Sequence, residues 1–149
     1  MNQRLALILF MLLVVGGGLA IGSLTVPEGW FAALDKPAFN PPGWLFGPVW
    51  TALYVLIAFA GWRIWRSGGG LPMRLWWGQL ALNFLWSPVF FRGHQIGLAF
   101  AIILLMLAVI LMFIRAAWRP DRTAALLFVP YAAWVAFASL LNGAILALN

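Results

Sequence analysis

The chain has 149 residues, 65% of them hydrophobic and only 8% charged, with nine Lys and Arg against three Asp and Glu for a formal charge of +6. A water-soluble domain carries roughly a quarter charged residues, so this composition, with a mean hydropathy of +1.00, excludes a soluble enzyme, a nucleic-acid binder and a disordered tail. Cysteine is absent, which removes disulfides, thiolate catalysis and Cys-based metal sites.

The charges separate five windows free of Asp, Glu, Lys and Arg: Leu5–Pro27, Pro37–Trp62, Leu75–Phe91, Gln95–Ile114 and Thr123–Asn149. As a helix, each is long enough to cross about 30 Å of hydrocarbon. The predicted fold is therefore an all-α integral membrane protein, a five-transmembrane-helix bundle in one domain covering 1–149. The spans fall at approximately 5–24, 44–65, 74–91, 95–117 and 123–147.

The first window follows Arg4 as a signal peptide would, but its apolar run reaches about 20 residues and no A-x-A-like cleavage site follows, so it reads as a retained helix. Gly16, Gly17, Gly18 and Gly22 within it fit either close helix packing or room for a ligand. The loop that follows, Thr25–Gly43, carries prolines at 27, 37, 41 and 42. Between them Trp30, Phe31 and Leu34 lie at helical spacing, which predicts a short interfacial helix. Such a loop caps the helix ends or closes over a pocket as a lid.

In the second span Trp50 and Tyr54 lie one turn apart. In the third, Trp76, Gln79, Asn83, Trp86 and Phe90 are spaced 3, 4, 3 and 4, which forms one stripe on a helix. Amides at that depth face protein, because an unsatisfied polar group in hydrocarbon costs several kcal/mol. Gln79 and Asn83 thus either bond neighbouring helices or line a pocket. Pro88 predicts a kink or an early end to this span. In the fifth, Tyr131, Trp134, Ala138 and Asn142 follow spacings of 3, 4 and 4. Three helices thereby offer aromatic-and-amide faces, with Gly47 and Ala138 leaving space. A cavity of that kind suits a large, flat, mainly apolar molecule held by stacking and a few hydrogen bonds.

Of the ten tryptophans, Trp44, Trp62, Trp65, Trp76, Trp77 and Trp118 sit at span ends, where the interfacial belt accounts for them; Trp50, Trp86 and Trp134 sit deeper. Arg4, Arg63, Arg66, Arg74, Arg115, Arg119 and Arg122 fall on one side of the membrane, and Lys36 and Arg92 on the other. This bias places the N-terminus inside a bacterial cell membrane. Within the spans charge is confined to the ends, at Arg63, Arg74 and Arg115, and none lies near a midplane, which argues against ion-coupled transport. The lone His94 reads as an interfacial or capping residue, no serine has a base to complete a triad, and no metal site is predicted.

The motifs resemble the TspO/MBR family of translocator proteins, also called tryptophan-rich sensory proteins or peripheral-type benzodiazepine receptors. The likeness rests on W-x-x-x-L-D-K-P-x-F-N-P-P-x-W-x-F-x-P-V-W-T-x-L-Y from Trp30 to Tyr54, G-Q-L-A-L-N-F-L-W-S-P-V-F-F from Gly78 to Phe91, and L-F-V-P-Y-A-A-W-V-A-F-A-S-L-L-N from Leu127 to Asn142. It implies a ligand cavity beneath the first loop, residues 25–43 acting as the lid, in a bundle that is commonly a homodimer. It also implies binding of protoporphyrin IX and related tetrapyrroles, and of isoquinoline-carboxamide and benzodiazepine compounds. No cofactor is required, and the tetrapyrrole is the ligand. The pocket carried over by motif position comprises Ala20, Ser23, Phe46, Gly47, Val49, Trp50, Tyr54, Gln79, Asn83, Trp86, Phe90, Leu98, Ala101, Leu105, Trp134, Ala138 and Leu141. The role implied is porphyrin regulation or transport and stress response.

The resemblance leaves alternatives open. One is light- and oxygen-dependent porphyrin degradation, in which the residues at Trp50 and Trp134 are implicated. Others are a sterol or lipid transporter and a structural scaffold. Some bacterial relatives are assigned to the outer membrane. Two departures stand out. Leu140–Leu146 carries no Tyr, Lys or Arg where animal members have a sterol-associated segment, which counts against cholesterol, and Phe39 stands where many relatives have Trp or another aromatic.

Overall fold

The computed structural model describes residues 1–25 and 29–149; the part of the first loop at 26–28, with its proline at 27, lies outside the described residues. Every regular element among the described residues is helical. Helix α1 spans Gln3–Leu24 and is opened by Asn2, whose side chain accepts a hydrogen bond from the Arg4 N–H at 2.8 Å. A π-helical stretch, Leu12–Gly16, interrupts it. The short helix expected in the first loop forms as α2, Gly29–Ala32. Helix α3, Gly43–Arg66, opens with a 3₁₀ turn at Gly43–Leu45.

Helix α4 runs Gly70–Ser87 and does not end at Pro88; it continues as a π-helical turn, Pro88–Arg92. The proline ring removes one backbone donor, and the wider turn re-registers the chain without stopping it. Helix α5 is Ile96–Ala117 and α6 is Arg122–Leu148, the latter capped by Asp121, which accepts from the Ala124 N–H at 3.2 Å. Four of these helices, α1, α3, α5 and α6, are long and apolar enough to cross a membrane. Helix α4 falls outside that set because Arg74, Gln79, Asn83 and Ser87 dilute its apolar character. It nonetheless packs along α5, which packs in turn along α6.

The half of the bundle away from the first loop is solid. Ile57, Ile64, Trp76, Ile103, Ile110, Phe113, Phe128 and Tyr131 are fully buried there. Trp76 departs from the belt reading. Its ring is wholly inside, because Gly61 on α3 presents no side chain and the indole occupies the place a Cβ would need. The indole N–H donates to the Ile57 carbonyl at 2.9 Å. At this end Arg63 grips the Asp121 carboxylate through Nε and Nη2 at 3.0–3.2 Å, and Trp62 donates to the Gln3 carbonyl at 2.9 Å. The N-terminus, the α3–α4 turn and the α5–α6 turn therefore share one end. The other end is hollow beneath the first loop.

Candidate functional site

The hollow end encloses a cavity of about 510 Å³ lined by all four long apolar helices, by α4 and by the loop. From α3 come Phe46, Gly47, Trp50, Thr51 and Tyr54; the four-residue spacing of Trp50 and Tyr54 keeps both on one face. The Trp50 ring sits 5.6 Å from Tyr54 and 6.4 Å from Tyr131, centroid to centroid. From α4 come Asn83, Trp86, Ser87 and Phe90, with Trp86 stacked on Phe90 at 5.2 Å. Helix α6 supplies Trp134, Ala138, Leu141 and Asn142, and Phe46 meets Trp134 edge-on at 5.8 Å. Helix α1 adds Gly18, Leu19, Gly22 and Ser23, and the loop adds Phe31, Asn40 and Pro41 as a roof.

The amides sort into two kinds of work. Tyr131 is a hub between helices: its hydroxyl donates to Gln79 Oε1 at 2.8 Å and accepts from Asn83 Nδ2 at 2.6 Å. Gln79 Nε2 in turn donates to the Trp76 carbonyl at 2.8 Å. Nearer the first loop, Trp86 Nε1 donates to Asn142 Oδ1 at 3.0 Å, and Asn142 Nδ2 donates to the Ile96 carbonyl at 3.2 Å. Asn83 and Asn142 both tie helices together and reach the cavity wall; Gln79 serves the hub alone. Among the described residues, two buried side-chain polar atoms have no partner, Trp134 Nε1 and Asn40 Oδ1, and both belong to lining residues.

No described lining residue is charged. Among the described residues, no group of His, Asp and Glu is gathered to hold a metal ion. His94 stacks on Trp30 of α2 at 4.1 Å with the rings 8° from parallel, outside the cavity. The arrangement offers wide aromatic faces, a few amide and hydroxyl dipoles and, among the described residues, no charged group on the cavity wall.

The structure brings together eleven of the residues carried over by motif: Ser23, Phe46, Gly47, Trp50, Tyr54, Asn83, Trp86, Phe90, Trp134, Ala138 and Leu141 all line the cavity. Six do not. Gln79 lies deeper in the hub, and Val49 packs beside the bundle core. Ala20 stands on the outer face of α1, turned away from its neighbours Leu19 and Ser23. Leu98, Ala101 and Leu105 form an exposed stripe on the outside of α5, and that helix reaches the cavity through Met106 instead. Helix α5 is the most apolar of the four, so hydrophobicity marks no inner face on it. Sequence reasoning also missed Phe31, Asn40 and Pro41 in the roof: Asn40 and Pro41 follow no helical period, and the spacing of Phe31 predicts an interfacial helix, not an inward face.

The model of the TspO/MBR family matches residues 10–148 of the chain. The tryptophan-rich sensory protein of Cereibacter sphaeroides is 37% identical over 150 residues, which takes in 100% of this chain and 95% of that one. The tryptophan-rich protein TspO of Archaeoglobus fulgidus is 45% identical, with 82% of this chain and 81% of that protein covered. The human translocator protein is 39% identical over 76% of this chain and 70% of its own length.

Proposed function

Because this chain belongs to the TspO/MBR family, we propose that it is a membrane receptor for tetrapyrroles of the protoporphyrin IX type and for other flat, mainly apolar molecules. The observation that carries this reading is the cavity. Its volume of about 510 Å³ lies in the range of small-molecule sites, and its wall sets Trp50, Trp86 and Trp134 around an uncharged interior. Ring faces of that size favour a planar partner through stacking. The unpartnered indole N–H of Trp134 gives such a ligand a hydrogen-bond donor to meet.

Helix α4 is the fifth span of this reading. Its amides are buried against Tyr131, so its polar content faces protein and its remaining surface is free to face lipid. The end that gathers Gln3, Arg63, Arg66 and Asp121 is the cytoplasmic one, and the lid lies outside.

The test is a titration in the dark with protoporphyrin IX, following tryptophan quenching in the native chain and in Trp134→Phe. Saturable quenching in the micromolar range, weakened in the variant, is the expected result. Linear quenching that ignores the substitution means partition into detergent, and removes the reading.

A further inference from the structure

Burial shows where the cavity opens. No lining residue on α4, α5 or α6 is exposed: Asn83, Phe90, Met106, Ala138 and Leu141 are buried, and Trp86, Ser87, Phe91 and Trp134 are half-buried. The lining residues that stay exposed are Leu19, Gly22 and Ser23 on α1 and Gly43 and Gly47 on α3. Both groups border one void, so the exposed group marks its mouth, a slot between α1 and α3. The foot of the slot is the contact of Tyr54 with Gly18, where the ring fills the space a Cβ would take. Below it α1 packs along α3; above it the stretch Gly17–Leu24 makes little contact with α3 and leans on α4. A Cβ on Gly22, Gly43 or Gly47 would meet no atom within 4 Å. The slot is open space, not a packed glycine seam.

The described part of the lid is fastened away from this slot. Asn149 at the end of the α6 rod accepts from the Asp35 N–H at 3.1 Å and donates to the Asp35 carbonyl at 2.9 Å. Trp30 is stacked on His94 in the α4–α5 turn, and Phe39 packs on Phe137 of α6. These attachments hold the loop to the α4–α6 side of the bundle.

We infer that ligands reach the cavity sideways from the bilayer, through the slot between α1 and α3, and not from water beneath the lid. The exposed residues of the slot lie within about two turns of the lid-side ends of both helices, and its foot at Tyr54 about three, beside the exposed Trp44. That is the depth at which headgroups meet acyl chains and aromatic rings collect. A flat apolar molecule dissolved in the leaflet concentrates at the same depth, and an uncharged slot imposes no desolvation penalty on it. The inference rests on the cavity being a ligand site and is indifferent to which ligand fills it.

The chain has no cysteine, so a single thiol on the cavity wall, Ala138→Cys, reports access without background. The protein is held in phosphatidylcholine nanodiscs and exposed to a short-chain alkyl maleimide dissolved in the bilayer. Labelling is expected, and adding Gly22→Leu or Gly47→Leu, whose side chains grow into open space, slows it by about tenfold or more, as a blocked gate does. Asn149→Ala, which removes one of the three fastenings of the lid, leaves the rate unchanged. Labelling indifferent to both plugs, labelling quickened by Asn149→Ala, or none at all in the unplugged protein each overturns the inference. If protoporphyrin IX fails to bind while the plugs still slow labelling, the tetrapyrrole reading falls and the slot stands.

Discussion

Tyr131 on α6 and Gln79 on α4 are joined by a hydrogen bond of 2.8 Å in the fully buried interior, with Asn83 donating to the same hydroxyl from one turn further along α4. One hydroxyl thereby satisfies two amides from a neighbouring helix, directly beneath the cavity that Asn83 lines. In a bundle facing lipid these bonds have no competing water, and their loss leaves polar groups stranded.

Tyr131→Phe is therefore expected to destabilise the bundle by about 1–3 kcal/mol, because it orphans both Gln79 Oε1 and Asn83 Nδ2 at once. Gln79→Leu costs less, since the tyrosine hydroxyl keeps Asn83 as its donor and has the Met106 sulfur at 3.6 Å. Thermal unfolding in a fixed detergent ranks the two variants. A Gln79→Leu protein less stable than Tyr131→Phe would show that the hydroxyl is not the hub.

A second prediction concerns Gly61. A Cβ there would overlap the Trp76 indole, which is fully buried and fixed by its bond to the Ile57 carbonyl. Overpacking against a ring that cannot retreat costs roughly 1–3 kcal/mol, so Gly61→Ala lowers the melting temperature. Gly47→Ala, whose new methyl meets nothing within 4 Å, leaves it unchanged or raises it slightly, since alanine outranks glycine in a helix. Equal effects of the two substitutions would contradict the packing described.

The ion pair at the opposite end makes a third. Asp121 caps α6 through the Ala124 N–H and accepts a paired contact from Arg63, with side-chain exposures of 10% and 30%. Asp121→Asn keeps the cap and removes the charge, at a cost of up to about 1 kcal/mol that shrinks as salt is added. Asp121→Ala loses the cap as well, worth about 1 kcal/mol more and insensitive to salt. Melting curves at low and high ionic strength separate the two contributions. An Asn variant as damaged as the Ala variant would rule out a separate capping role.

How much of this was readable from the chain varies by helix, for physical reasons. On α4 the stripe from Gln79 to Phe90 announces itself, because amides and large rings recurring at three and four residues can share only one inward face. Trp76, at the start of the same stripe, looks like a belt residue from sequence because the charge-free window opens at Leu75. The helix begins at Gly70, however, so Arg74 stands a full turn inside it and Trp76 lies deeper than the charge map indicates. Of the roof residues, Asn40 and Pro41 follow no period and Phe31 stands on a helix of only four residues, so only tertiary structure assigns them to the cavity.

Helix α5 is the sharpest case and supports a final prediction. Leu98, Ala101 and Leu105 share a face, but it is the outer one, since a helix apolar all round gives the sequence no means of telling inside from outside. Ala138 on α6, by contrast, is flanked by polar and aromatic residues, and its small side chain leaves part of the cavity empty. Ala138→Leu adds three carbons to that void, filling space a ring system would occupy. Protoporphyrin IX affinity is expected to fall by about tenfold or more, equivalent to roughly 1.4 kcal/mol, while thermal stability holds or rises, as cavity-filling substitutions commonly allow. Ala101→Leu adds the same three carbons to the outer face and leaves affinity unchanged. Equal loss in the two variants would mean that α5 turns its other face to the cavity, whereas loss confined to Ala138→Leu leaves Ala101 on the outer face, as described.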